Sequence, residues 1–138
     1  MNKNIKHLNL LLAHDELRQA NDFLLNLRNS KQEPDYILDH YQGIICLKEK
    51  KFSDSIFYFK QALLKKSDFF ESILNLGVAH LSNNEFELAK QNFVQAQKIK
   101  PDFIDNYIFL AKVYFAEKND QKGFDVLNDA LSKFPNNS

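Results

Sequence analysis

The chain has 138 residues, of which 44% are apolar, and its eighteen acidic and eighteen basic side chains cancel. This composition supports a compact core and provides no excess of positive charge, so nucleic-acid binding through a basic face is excluded as a function. Cys46 is the single cysteine, and the apolar patch at residues 8–13 is too short for a signal sequence or a membrane span. The chain is therefore predicted to be cytoplasmic, with no membrane partner.

Residue types return at intervals of 34 along most of the chain. The recurring positions are Ala62, Ala96 and Ala130, Gly43 and Gly77, Phe59 and Phe93, Phe52 and Phe86, and Pro101 and Pro135. A period of this length is typical of stacked two-helix units, because one unit alone cannot bury its own apolar face. The predicted fold is therefore all-α, an α-solenoid of about four helix-turn-helix repeats in one continuous array.

The first two segments of this array follow the pattern least closely. In residues 1–35 the leucines keep a helical spacing but no glycine is present, and we interpret this segment as a degenerate repeat that caps the N-terminal end. The second repeat is predicted over residues 36–69, where Gly43, Phe59 and Ala62 keep the recurring residue types. Both segments are thus expected to contain a helix pair.

The third repeat, residues 70–103, is the clearest. Its apolar periodicity predicts one helix over residues 70–81 and a second over residues 86–98, with a polar turn between them. Gly77 in the first helix and Ala89 in the second leave room for the two backbones to approach closely.

The fourth repeat is predicted over residues 104–137. The ends of the segments are marked by the dipeptides Pro34-Asp35, Ser67-Asp68, Pro101-Asp102 and Pro135-Asn136. Proline stops one helix and the Asp or Asn side chain can cap the next, so these dipeptides are predicted to form the repeat boundaries.

One motif is complete in the third segment and consists of Leu76-Gly77, Ala89-x3-Phe93, Ala96 and Pro101. This motif resembles the tetratricopeptide repeat. The resemblance implies a right-handed superhelix in which the first helix of each repeat lines a concave groove. It also implies a protein-binding role, although family likeness indicates fold more firmly than function.

The resemblance leads us to expect unburied apolar residues at the C-terminal end. Arrays of this family usually close with an extra polar-faced helix, and residues 104–137 are not followed by one. Val113, Phe124 and Leu131 are therefore expected to lack a neighbour. This predicts either further repeats beyond residue 138 or self-association at this end.

No constellation of catalytic or metal-binding residues stands out in the sequence. The four histidines form no His-Glu-x-x-His motif, and there is no glycine-rich phosphate loop. Cys46 and His80 occupy equivalent places in consecutive first helices, but this position in the family faces the interior, so packing is favoured over a nucleophilic pair. We predict no catalytic residue, no metal site and no cofactor.

The first helices carry the predicted partner-binding groove. The family's concave face, mapped residue by residue, consists here of His40, Tyr41, Ile44, Lys48, Leu74, Asn75, Val78, Ile108, Phe109 and Lys112. Large aromatic side chains such as Tyr41 and Phe109 are the expected anchors for a bound segment. Packing against neighbouring helices is the alternative role for the same residues, since amphipathic repeat helices bury more than one face.

Some members of the family clamp the two carboxylates of an acidic peptide end. In either register of the repeats, only one of the five clamp positions has the required residue type, so this clamp is predicted to be absent. The sequence therefore predicts a non-enzymatic scaffold that binds a peptide or helix of a partner protein in an apolar, aromatic groove. The alternative from another class is an accessory region of a larger enzyme, such as a transferase, with its catalytic part beyond residue 138.

Overall fold

The computed structural model describes residues 2–135, and in that range its secondary structure is entirely helical. The helices are α1 (Lys3–Ala13), α2 (Leu17–Ser30), α3 (Asp35–Lys48), α4 (Phe52–Lys65), α5 (Phe70–Ser82), α6 (Phe86–Ile99), α7 (Asp105–Ala116) and α8 (Asp120–Lys133). The predicted all-α fold is confirmed, and α5 and α6 lie within one residue of their predicted bounds. Residues 136 and 137 of the fourth predicted repeat lie outside the described residues.

The turns inside the four described helix pairs share one backbone geometry, and three of them also keep the 34-residue spacing. Lys50, Asn84 and Lys118, which are 34 residues apart, all have left-handed φ angles, of 62°, 60° and 66°. The next residue in each turn donates its N–H to the carbonyl oxygen five residues earlier, at 2.9, 2.9 and 2.8 Å. This closure satisfies carbonyls at the end of the first helix. The period found in the sequence therefore extends to turns whose side chains differ.

The helix starts differ from the predicted caps. Helix α3 begins at Asp35 itself, with Pro34 in the N-cap position and no side-chain cap. Asp102 lies in the turn before α7, whose N-cap residue is Ile104 and also provides no side-chain hydrogen bond. The prediction of aspartate caps is therefore wrong at both boundaries. Asp35 instead lies in the first helical turn, where the helix dipole favours a negative charge.

Contacts divide the chain into two compact units, residues 1–72 and residues 73–138. In the first unit α1 packs on α2, α2 on α3, and α3 on α4. The apolar core shared by α1, α2 and α3 consists of Leu8, Leu11, Leu12, Ala20, Leu24, Leu27, Leu38, Tyr41 and Ile45. The degenerate first segment thus supplies most of this core and covers one side of α3.

A buried carboxylate connects three helices of the first unit. Asp39 on α3 accepts hydrogen bonds from Arg28 of α2 at 3.0 Å and from Lys65 of α4 at 2.6 Å. Two cationic donors offset the cost of removing the carboxylate from water. The network therefore ties α3 to the helices before and after it.

In the second unit α6 packs on α7, and α7 packs on α8. Ala89, Phe93 and Val113 form a buried cluster there. Val113 is fully buried, so the expectation that it lacks a neighbour is wrong, because its side chain packs with the residues of α6. Phe124 and Leu131, by contrast, are 56% and 52% exposed.

Glycines allow the paired helices to approach each other closely. A Cβ atom at Gly77 would lie 2.7 Å from Cε1 of Phe93, and one at Gly123 would lie 2.6 Å from Cε1 of Phe115. Gly43 makes the corresponding contact in the first unit. The recurring alanines are buried as predicted; these are Ala62, Ala96 and Ala130. Small residues that recur along the chain therefore allow the helices to pack closely, as the periodicity indicated.

Candidate functional site

His40, the first predicted groove residue, lies inside the first unit. Its side chain is 5% exposed, and its Nδ1 atom is 2.8 Å from Oγ of Ser72. The ring also meets Phe69 edge-on, with 5.1 Å between the ring centres. Burial lowers the pKa of His40 to about 4, because the charged imidazolium would be poorly solvated there. His40 is therefore a neutral packing residue at physiological pH.

Tyr41, the predicted anchor of the first unit, has an interior ring and a satisfied hydroxyl. The residue is 8% exposed, and its hydroxyl donates to Oδ1 of Asn9 at 2.8 Å. Burial is the main cause that raises the pKa of Tyr41. Ile44 is half-buried against the same core, whereas Lys48 is exposed with its ammonium 3.5 Å from Asp15. The four predicted residues of α3 therefore occupy different depths.

The predicted residues of α5 and α7 come together around one cluster in the second unit. Leu74, Val78 and Phe109 are partly buried and pack against Phe93 and its neighbours. The rings of Phe109 and Phe93 are stacked, with centres 5.3 Å apart and planes inclined by 10°. This stack leaves part of Phe109 at the surface on a fixed support, as an anchor for a ligand requires.

One charged residue, Lys112, flanks this partly exposed aromatic ring. The ammonium of Lys112 lies 5.4 Å from the centre of the Phe109 ring, a distance at which a cation interacts favourably with an aromatic face. Asn75 on α5 is half-buried. The predicted set in the second unit therefore combines an aromatic surface with an adjacent positive charge.

Ile108 faces a different part of the second unit. It lines an apolar groove of about 250 Å³ together with Ile104, Leu127, Ala130 and Leu131. Sequence reasoning assigned Ile108 to the partner-binding groove and did not identify its contact with α8. The 34-residue period could have indicated this groove. Ile108 and Leu127 lie one repeat after Leu74 and Phe93, and Leu74 and Phe93 are covered by packing.

Two more grooves lie on single units, and no pattern in the sequence indicated either of them. One, of about 500 Å³, is lined by Lys3, Asn4, Lys6, His7, Leu10 and Phe23. The other, of about 480 Å³, is lined by Glu87, Lys90, Gln91, Val94, Gln95, Lys98 and Tyr114. In the second groove a hydrogen bond from Lys90 to Glu117, at 3.1 Å, is the main cause that raises the pKa of the lysine. Its charge is thus already compensated within the protein.

The surroundings of Cys46 disfavour the nucleophilic role considered for it from the sequence. Cys46 is buried, and burial raises the pKa of its thiol, which disfavours the reactive thiolate. Among residues 2–135, no three or more histidine, cysteine, aspartate or glutamate side chains are grouped so that they could hold a metal ion. In the same range no helix combines the length and the apolarity needed to cross a membrane.

Paired antiparallel helices with a repeated turn and small residues at their contacts define an all-α helical-repeat protein. The kind of repeat follows from the sequence model of the tetratricopeptide repeat, which matches residues 70–103, the segment that forms α5 and α6. The resemblance inferred from the motif is thereby confirmed, and this segment is a tetratricopeptide repeat. No curated protein sequence matches the chain.

Solved structures extend the likeness to nearly the whole chain. YrrB, a TPR protein with an unusual peptide-binding site, has a TM-score of 0.79 at 15% identity over 97% of this chain and 69% of YrrB. PilW, a type IV pilus biogenesis factor, has a TM-score of 0.83 at 18% identity over 98% of this chain and 62% of PilW. MamA of Desulfovibrio magneticus RS-1 has a TM-score of 0.80 at 12% identity, over 98% and 76% of the two chains. At such low identities these similarities establish the fold alone.

Proposed function

We propose that the protein is a non-enzymatic scaffold that binds a peptide or a helix of a partner protein on the apolar faces of its first helices. The partner is a protein and not a nucleic acid, because the equal numbers of acidic and basic side chains leave no net positive charge. A cytoplasmic location belongs to the same proposal, since the chain has one buried cysteine and relies on no disulfide.

The stacked Phe109 ring is the observation that carries this proposal. Its support by Phe93 fixes the ring before a ligand arrives, so binding loses little side-chain entropy. Lys112 beside the ring adds a charge that can set the register of a bound segment. In the first unit, half-buried Ile44 and exposed Lys48 are the counterparts, whereas His40 and Tyr41 are buried.

A peptide is the favoured class of ligand because YrrB, which has the same fold, is a TPR protein with an unusual peptide-binding site. The lining in this chain differs from a carboxylate clamp, since apolar Leu74 and Val78 pack against the same cluster as the Phe109 ring. Apolar side chains of the ligand are therefore expected to provide most of the binding energy.

Site-specific photocrosslinking tests the proposal. A benzophenone side chain is introduced in place of Lys112 and, as a matched control, in place of Lys60, which is also exposed but lies on α4. We expect the probe at position 112 to crosslink a defined segment of a protein other than this chain from native lysate and the probe at position 60 not to capture it. Mass spectrometry then identifies the segment, which is synthesised for affinity measurements.

The affinity of that peptide provides the decisive comparison. Truncation of an aromatic anchor costs about 2 kcal/mol or more, so Phe109→Ala should weaken binding about thirtyfold. Phe57→Ala, which removes an exposed ring elsewhere, should leave the affinity unchanged. Circular dichroism establishes that both variants remain folded. Equal affinity of the Phe109→Ala variant and the unmodified chain would refute the proposed site.

A further inference from the structure

The apolar groove between α7 and α8 has exposed walls. We call it the α7–α8 face; its lining residues are Ile104, Ile108, Leu127, Ala130 and Leu131. Ile108 is 39% exposed and Leu131 is 52% exposed. Isolated exposed apolar residues are common, but two of them on the walls of one apolar groove indicate a surface that interacts with another apolar surface.

The repeat shows what kind of object fits this face. One period earlier, Leu74 and Phe93 occupy the positions of Ile108 and Leu127. There they pack around a cluster that includes Val113 of α7, and Phe109 of α7 stacks on Phe93. In the preceding repeat a surface of this type is therefore covered by the next helix, α7, through Phe109 and Val113. The α7–α8 face is shaped for another such helix.

The charges on α7 select the occupant. Asp105, Ile108 and Lys112 are all exposed, and their spacing of three and four residues places them on one side of the helix. Ile108 lies between two opposite charges that are separated by about 10 Å along the helix axis. A second α7 that runs antiparallel to the first brings each Asp105 next to the Lys112 of the other copy. The surface is thus complementary to itself.

We propose that two copies of this chain associate through the α7–α8 face, about a two-fold axis close to Ile108. The two Ile108 side chains and the leucines of α8 form the apolar centre of the contact. Two symmetric ion pairs between Asp105 and Lys112 flank this centre and determine the antiparallel orientation. A contact of this kind uses the same surface on both copies, which closes the assembly at a dimer.

Sedimentation velocity of the 138-residue chain over a wide range of concentrations tests the dimer. We expect a concentration-dependent equilibrium between monomer and dimer. A charge placed in the apolar centre by Leu131→Asp should raise the dissociation constant at least about tenfold. Leu64→Asp is the matched control, because Leu64 is 79% exposed on α4 in the other unit and should have no effect.

Reciprocal charge reversal tests the orientation of the two copies. Asp105→Lys places lysine opposite lysine in a homodimer, and Lys112→Asp places aspartate opposite aspartate, so each variant alone should dimerise about tenfold more weakly. An equimolar mixture of the two variants restores both ion pairs and should form a mixed dimer. This rescue cannot arise from misfolding, because both partners in the mixture must be folded to form it.

Three results would overturn the proposal. The first is a chain that remains monomeric at every concentration, which would leave the face to a partner protein or to a following helix. The second is growth beyond a dimer, which indicates a head-to-tail contact between different surfaces. The third is a mixture of the two charge variants that associates no better than either variant alone.

Discussion

In the helix pair α5–α6 the glycine at the close contact lies on the first helix, whereas in α7–α8 it lies on the second. Gly77 of α5 faces the ring of Phe93 on α6, and Gly123 of α8 faces the ring of Phe115 on α7. Both pairs therefore place an aromatic ring directly on a glycine. The ring and the glycine have exchanged helices.

The register explains how this exchange is possible. The position of Phe93 is occupied by Leu127 in the next repeat, and the position of Gly123 is occupied by Ala89 in the preceding one. In antiparallel helices, one turn along one helix corresponds to one turn back along the other, so the close contact in α7–α8 has moved by one turn. Cores tolerate such changes when total volume is conserved. Each helix pair therefore requires one close contact between its two helices, and the glycine that allows this contact can lie on either helix.

The largest effect is expected from truncation of the buried ring. Phe93 is almost fully buried, so Phe93→Ala should lower the free energy of unfolding by about 3 to 5 kcal/mol. Leu127→Ala at the equivalent position should cost less than about 2 kcal/mol, because Leu127 is only half-buried on the α7–α8 face. Urea denaturation at a low protein concentration measures both. Equal losses would mean that the two positions are equally important for the stability of their helix pairs.

Replacement of each glycine by alanine should affect stability differently at the Gly77–Phe93 contact and at the Gly123–Phe115 contact. Gly77→Ala gains about 1 kcal/mol of helix propensity but brings a Cβ atom against a ring that cannot leave the core, so we expect a net loss of about 1 to 2 kcal/mol. Phe115 is half-buried and can turn towards solvent, so Gly123→Ala should change stability by less than about 1 kcal/mol.

The control for the glycine variants replaces the Phe93 ring by a smaller side chain. In a Phe93→Leu background, Gly77→Ala should no longer be destabilising, because the smaller side chain leaves room for the methyl group. The readout is the midpoint of urea unfolding for the single and double variants. If Gly77→Ala costs the same in both backgrounds, the Phe93 ring is not what requires a glycine at this position.

Periodicity was sufficient to predict the helices but not the depth of the candidate site residues. The bounds of α5 and α6 followed from apolar spacing and a polar turn, both of which are local signals. The burial of His40 depends on Ser72, and the burial of Tyr41 involves Asn9, in each case 32 residues away. Local spacing carries no information on such partners. The family's concave face therefore predicted that these residues lie on first helices, but it did not predict which of their side chains reach the surface.

The partner of Gly123 was unpredictable for a related reason. The glycine itself was visible in the sequence, but an alignment by period associates it with Ala89 and gives no partner ring. Only the three-dimensional contact with Phe115 shows that the packing has shifted by one turn. Val113 illustrates the same limit, because its burial against α6 depends on the rotation of α7 about its axis.

A polar position provides the last contrast between the two repeats. Ser72 on α5 bonds to buried His40, whereas Asn106, one period later on α7, is buried with neither side-chain atom hydrogen-bonded within the described part of the chain. The residue one period after His40 is Leu74, which cannot hydrogen-bond. An unsatisfied buried amide costs about 1 to 3 kcal/mol. The same position therefore stabilises one repeat and destabilises the next.

Substitutions of Ser72 and of Asn106 should consequently change the free energy of unfolding in opposite directions. Asn106→Leu replaces the amide by an apolar group of similar shape and should raise the free energy of unfolding by about 1 kcal/mol. Ser72→Ala leaves Nδ1 of His40 without its hydrogen-bond partner and should lower it by at least a similar amount, about 1 kcal/mol. Thermal and urea unfolding of the two variants show directly whether each substitution raises or lowers the free energy of unfolding. Destabilisation by Asn106→Leu would show instead that the amide is satisfied in solution, as by an internal water, and that both repeats rely on a polar group here.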